Sequence, residues 1–248
     1  MKKYAIVFSV FLLFFLILQF LTPYIIDVDT YYHIAVADHI RTSFSLQSTW
    51  LTQSILEKAD IHWFFHLLLV PFTFFGLVLG AKLAAVIFAS LSFTIIYWYL
   101  EKRNIPYPYL WMLFIMCGSY ILLFRLVSAR VYVLSLAILI IGAFLLQEKK
   151  WKLLAVLAFF YAWLYSAFAF LFVFAIFFSI AEYIITKKIY IKSLVAIMTG
   201  SFLGLIINPF FPDILKVFYV QVFQAFLFPT LTDLPKEALP FPSFGVFP

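Results

Sequence analysis

The sequence predicts an all-α protein: a polytopic transmembrane helical bundle of about seven spans, with a first external loop that carries interfacial helices. Three observations predict it. Of 248 residues, 66% are hydrophobic and only 11% charged, and mean hydropathy is +1.09. A soluble domain is about half apolar and about a quarter charged. Runs of Leu, Ile, Phe and Val recur from end to end, most of them near the ~20 residues that a span needs. Between these runs Lys and Arg gather in short clusters, where topology determinants belong.

The first span is read over residues 4–26 of the opening domain 1–26, "MKKYAIVFSVFLLFFLILQFLTPYII". Its apolar core exceeds the roughly 7–15 residues of a signal peptide and has no small-residue cleavage site, so it is retained. Residues 27–81 form the next unit, with a helix expected at 30–42. Within it, "HWFFHLLLVPFTFFGLVLG" at 62–80 is long enough to cross but holds two histidines, a proline and two glycines. Charge arbitrates. With Lys2 and Lys3 inside, a non-crossing 62–80 places ten of the 17 Lys and Arg in the cytoplasm (2, 3, 102, 103, 149, 150, 152, 187, 188 and 192), and a crossing one places seven. Inverting the whole chain also scores ten but exports the lysines before the first span, and the first helix usually sets orientation. The segment is therefore expected to lie along the interface, and 27–81 to be one external loop.

The bundle follows over 82–207, with apolar segments at 82–100, 107–124, 131–147, 151–166, 168–186 and 190–207. "RLVSAR" at 125–130, residues 165–168 and "NPFFP" at 208–212 become external turns. Residues 208–248 are expected to be external or interfacial. The stretch 213–228 is apolar but carries Lys216, Gln221 and Gln224, and suits either an interfacial helix or a further span. The tail 229–248 has five prolines and reads as a loop cut short, as if the chain were the N-terminal part of a longer protein.

Formal net charge is +6, but the basic residues sit in interhelical clusters that suit anionic headgroups rather than nucleic acid. The one cysteine, Cys117, lies within an apolar run and reads as packing. There is no P-loop, no G-x-S-x-G elbow and no H-E-x-x-H, so nucleotide hydrolysis and serine or zinc-protease chemistry have no support.

The chemistry-bearing residues cluster where the first span ends, in "DVDTYYHIAVADHI". Asp27 and Asp29 suit a hard divalent cation or general-base work, and equally a helix cap and a solvated charge. With Asp29 as N-cap, His33 stands four residues on, at the same side of the helix start. His62 and His66 in "DIHWFFH" share a helix face, a spacing that suits a metal or interfacial anchoring. Arg125 and Arg130 flank "LVSA" and suit either a lipid phosphate or snorkelling.

"DVDTYYHIAVADHI" resembles the first external loop of the glycosyltransferase C superfamily, in particular oligosaccharyltransferase catalytic subunits, whose loop reads D-x-D-x-[YF]-Y-H before a helix. The layout is similar too: one span, a large external loop with interfacial helices, then closely spaced spans. "RLVSARVYVLSL" and "GLIINPFFPDIL" also resemble blocks of bacterial members. The resemblance implies transfer of a sugar from a polyprenyl-phosphate-type lipid donor on the external face of the plasma membrane. It makes Asp29, with Asp27 beside it, the catalytic position. It implies a divalent metal, Mg or Mn, on Asp29 and His33, and a substrate-binding set of Arg125, Arg130, Tyr32 and His62. The chain departs from that pattern: "RLVSAR" has no carboxylate where a second acidic motif belongs, and W-W-D-Y-G is absent. Asparagine-linked transfer is therefore not implied, and sugar and acceptor stay open. The rival readings are a transporter or flippase of a polar lipid, which needs charges near the midplane, and a non-catalytic assembly subunit.

Overall fold

A computed structural model describes residues 2–25, 27–45, 59–187 and 191–219. Among the described residues the chain is helical, with no strand. The helices are α1 (Lys2–Gln19), α2 (Val28–Ser43), α3 (Trp63–Thr73), α4 (Leu77–Lys102), α5 (Pro108–Cys117), α6 (Tyr120–Leu126), α7 (Val131–Gln147), α8 (Trp151–Leu164), α9 (Ala169–Thr186, preceded by a 3-10 turn), α10 (Ile191–Ile206) and α11 (Asp213–Phe218). Of these, α1, α4 and the unit Ser166–Thr186 are long and apolar enough to cross a membrane. Shorter apolar helices accompany them: α3, α5, α7, α8 and α10. The start of the 213–228 stretch is α11; residues 220–228, with Gln221 and Gln224, and the tail 229–248 lie outside the described residues.

The structure redraws the 62–80 segment. It is not one helix: α3 has 11 residues, and Leu77–Gly80 belong to α4. At 1.5 Å per residue α3 is roughly 16 Å long, about half the hydrocarbon core. Pro71 sits inside α3, and Gly76 turns the chain at φ 82°. Gly80 then lets α4 start hard against α3, since a Cβ there would stand 2.2 Å from the Phe72 carbonyl oxygen. The 107–124 segment is likewise broken. It stops at Cys117 and restarts where Ser119 caps α6 by accepting from the Leu122 N–H at 3.3 Å.

Ion pairs sort the helix ends. Lys3–Glu101 (2.7 Å), Arg103–Glu148 (3.1 Å) and Lys149–Glu182 (3.3 Å) join the start of α1, the end of α4, the α7–α8 turn and the later part of α9. At the opposite end of α1, the buried Lys82 donates to the carbonyls of Gln19 (3.1 Å) and Thr22. A cation there satisfies carbonyls that a helix C-terminus leaves open and complements its dipole. Helices α1 and α4 are therefore antiparallel, and Phe11 and Phe15 meet Phe93 edge-on between them, each at 5.3 Å.

The tightest helix pair is α8 with α10. A Cβ on Gly200 would meet the Ala155 carbonyl oxygen at 2.1 Å, and one on Gly204 the Phe159 carbonyl oxygen at 2.7 Å. This small-residue face brings two backbones together without side chains between them. Gly200→Ala is expected to destabilise the bundle by about 3 kcal/mol, since a backbone oxygen cannot swing aside. Met198→Ala, at a position 58% exposed, should stay within about 0.5 kcal/mol of wild type. Unfolding in mixed micelles checks both.

Candidate functional site

The acidic motif is built where α1 gives way to α2. Asp27, in extended conformation, is the N-cap of α2, and its Oδ2 accepts from the Thr30 N–H (3.1 Å) and hydroxyl (2.9 Å). This corrects the sequence reading, which put the cap at Asp29. Asp29 lies in the first turn instead. A cap side chain must reach back to the N2 or N3 amide, and only Asp27 stands three residues before Thr30.

The partner comes from 103 residues away. Arg130 precedes α7 and closes a fork on Asp27, Nε to Oδ2 at 2.6 Å and Nη2 to Oδ1 at 2.5 Å. The same Nη2 lies 2.8 Å from Asp29 Oδ2. One guanidinium thus bridges both carboxylates. The three side chains differ in exposure: 8% for Asp27, 15% for Arg130 and 47% for Asp29. Asp27 is thereby the structural member and Asp29 the reachable one. Burial opposes ionisation of Asp27, but hydrogen bonds from Arg130 and Thr30 outweigh it and hold its carboxyl below the usual range. Burial also opposes the charge on Arg130, and Asp27 more than restores it, raising its pKa. Arg125 is exposed, and its guanidinium lies 5.6 Å from the Tyr132 ring, with that of Arg130 5.8 Å from the same ring. The two arginines picked out in the sequence do stand together.

A second group stands on the α2–α3 face. Asp60 Oδ2 lies 2.5 Å from His66 Nδ1, and His66 Nε2 lies 2.8 Å from His33 Nδ1. His66 is fully buried, and His33 and the Asp60 side chain nearly so. Asp60 is fixed by its other oxygen, which accepts from the His62 N–H at 2.8 Å. The His62 ring stands 5.6 Å from that of His33 and 5.5 Å from that of Tyr165, while Tyr32 packs edge-on against His33 at 5.4 Å. The sequence reading noticed the 62/66 spacing but did not join it to His33, 33 residues earlier. It also gave Lys82 no role. Nothing in the local pattern signals either long-range contact.

Asp29 and His33, the expected metal pair, each have a partner already. Among the described residues no three His, Cys, Asp or Glu side chains gather to hold a metal ion. Asp29 faces a guanidinium, and His33 gives its Nδ1 to His66. A dication on that Asp29 oxygen would sit against the Arg130 charge, so no step is routed through a metal.

Burial disfavours the charged form of His33 and of His62. It pushes His33 well below its usual pKa, helped by the charges of His66, His62 and Arg130. It lowers His62 to about 4, helped by His66. The unfolded chain takes protons near the ordinary histidine pKa of ~6.5 and the folded chain does not, so the unfolded state binds more protons below it. Stability should be full above pH ~6.5 and fall as pH drops from there towards 4. Asp27, also lowered, adds a further loss in more acid solution. Unfolding midpoints between pH 4 and 8 check this, and His62→Gln should flatten the upper part of the curve.

No known protein family, no curated protein and no solved structure matches the chain. Among the described residues it has an all-helical fold with three helices apolar and long enough to cross a membrane, and a carboxylate–arginine site at one end.

Proposed function

We propose that the protein is an integral membrane glycosyltransferase of the C type, which takes a sugar from a polyprenyl-phosphate-type lipid on the external face. The observation that carries this reading is the Asp27–Arg130–Asp29 constellation at the end of the first apolar helix. A lipid-linked donor presents its charged head at that depth and its tail to the apolar helix surfaces. Those surfaces are rich in exposed large hydrophobics, such as Ile6, Val10, Leu13 and Ile17 on α1 and Phe174, Phe177 and Ile180 on α9. Patches of that size need a partner, and lipid is the one that fits.

The roles follow from exposure. Asp27 holds Arg130 and caps α2. Arg130, with the exposed Arg125 beside it, receives the donor phosphate through charge-assisted hydrogen bonds. A phosphate on Nη2 competes with Asp29 for it. Donor binding therefore draws Arg130 off Asp29, whose exposed carboxylate then orients the acceptor.

In this reading the chain crosses seven times, through α1, α4, α5 with α6, α7, α8, the unit Ser166–Thr186 and α10, with α2 and α3 outside. The ion pairs support it, because Lys3, Arg103 and Lys149 share one end and the carboxylate–arginine site lies at the other. The positive-inside rule makes the first end cytoplasmic. Single cysteines at 44 and 104, both exposed turn positions, in a Cys117→Ser background test this. An impermeant thiol reagent applied to cells should label 44 and spare 104. Labelling at 104 alone would invert the protein and remove the geometry. Turnover of a polyprenyl-phosphate-linked sugar by the protein in nanodiscs tests the chemistry. Donor that stays intact with every acceptor class supplied would overturn the assignment.

A transporter reading would draw on Lys82, a buried cation in α4. Its ammonium already serves the carbonyls at the end of α1, which is a structural duty.

A further inference from the structure

We propose that Asp60, His66 and His33 form a proton relay whose working end is Nε2 of His33, and that this nitrogen is the proton acceptor for the incoming hydroxyl. The inference rests on the transferase reading for its substrate, but the relay itself stands on geometry. An ionised carboxylate only accepts, so the 2.5 Å contact to Asp60 puts a proton on His66 Nδ1. Neutral His66 then has a bare Nε2, and the 2.8 Å contact requires His33 to donate from Nδ1. A neutral imidazole with its proton on Nδ1 has a lone pair on Nε2.

The same heavy atoms accommodate one more proton without moving. When a proton arrives at His33 Nε2, the Nδ1 proton of His33 passes to His66 Nε2. His66 becomes an imidazolium and remains donated to the Asp60 carboxylate, where its charge is paired. This answers the objection that burial makes His33 a weak base. The positive charge does not stay on His33, next to His62 and Arg130, but settles beside Asp60. In the transfer step the acceptor oxygen loses its proton to His33 Nε2 and forms the new bond to the anomeric carbon. The donor phosphate oxygen leaves with the electron pair of the bond that breaks, and its charge falls to the arginines.

The placement fits. Asp29 and His33 are four residues apart on α2, hence neighbours on one helix face. The groups around His33 are its own-helix neighbour Tyr32, His62, Phe65 and His66 from α3 and its approach, and the charge of Arg130 from the start of α7. Asp60 and His66 act through His33 and are positioning residues.

The chain has four histidines, so labelled-histidine nitrogen NMR of the full protein in nanodiscs is tractable, with His39→Gln and His62→Gln removing the other two signals. At pH 8 His33 should show a protonated Nδ1 and a bare Nε2, and His66 a protonated Nδ1. On acidification one event should move both rings together, Nε2 of His33 gaining a proton as its Nδ1 loses one. Asp60→Asn should uncouple the two rings. A proton on His33 Nε2 at pH 8, or a His33 that titrates while His66 is unmoved, would overturn the relay. With a polyprenyl-phosphate-linked sugar, His33→Gln should lower transfer about 10²–10⁴-fold, and Asp60→Asn should shift the pH profile as well as the rate. Transfer at wild-type rates by His33→Gln would also overturn it. An inert wild type with the relay signature intact would sink the transferase reading and leave the relay standing.

Discussion

Asp29→Asn is expected to lower transfer of a lipid-linked sugar about 10²–10⁴-fold while leaving the fold intact. The magnitude is that of a lost acceptor-orienting carboxylate. The separation from stability follows from exposure: the Asp29 side chain is 47% exposed, and Arg130 retains its two-point fork on Asp27 when Asp29 is neutralised. An exposed ion pair of this kind is worth about 0–1 kcal/mol. Initial rates in nanodiscs, set beside unfolding in mixed micelles, check the two halves separately. Wild-type turnover by Asp29→Asn would take the catalytic role away from the motif.

Asp27→Ala should do the opposite and cost about 3 kcal/mol of stability. It removes the α2 cap, worth about 1 kcal/mol, and it deprives a largely buried guanidinium of its two-point carboxylate partner. Asp27→Asn keeps the cap and should cost less. Arg130→Met combined with Asp27→Ala should recover part of the loss, because the orphaned charge is gone. Equal losses in the single and double variants would mean that the fork contributes nothing beyond the cap. The two aspartates look equivalent in D-x-D, yet the structure makes Asp27 the cap and leaves Asp29 exposed.

The same contrast shows how much of the site was legible. Asp27, Asp29, Arg125 and Arg130 stand out in the sequence because charges are rare in this chain, and the structure brings them together around one guanidinium and one tyrosine ring. Their pairing was not legible. A cap is fixed by which amide the side chain reaches, and Thr30 selects Asp27. The grouping of His33 with His66 and Asp60 is a contact between α2 and α3, and neither helix carries a local sign of it. The partners of Asp29 and His33 were hidden for a related reason. Spacing along a helix puts two side chains on one face, but it does not show the guanidinium that reaches Asp29 Oδ2 or the imidazole that reaches His33 Nδ1.

For the fold, composition and apolar run length by themselves determined that the described chain is helical and that stretches of it are long and apolar enough to cross lipid, where backbone groups must be satisfied within the segment. They also marked the 62–80 segment as doubtful through its proline and glycines. Only the tertiary structure decided how it divides: Gly80 admits the Phe72 carbonyl, so α3 stops after 11 residues and α4 begins before the apolar run ends. It alone decided that Lys82 closes the end of α1 and that Arg130 bridges Asp27 and Asp29. Periodicity and hydropathy are sums over neighbours in sequence, whereas a buried cation chooses its partner from whatever oxygen the packed helices bring within about 3 Å.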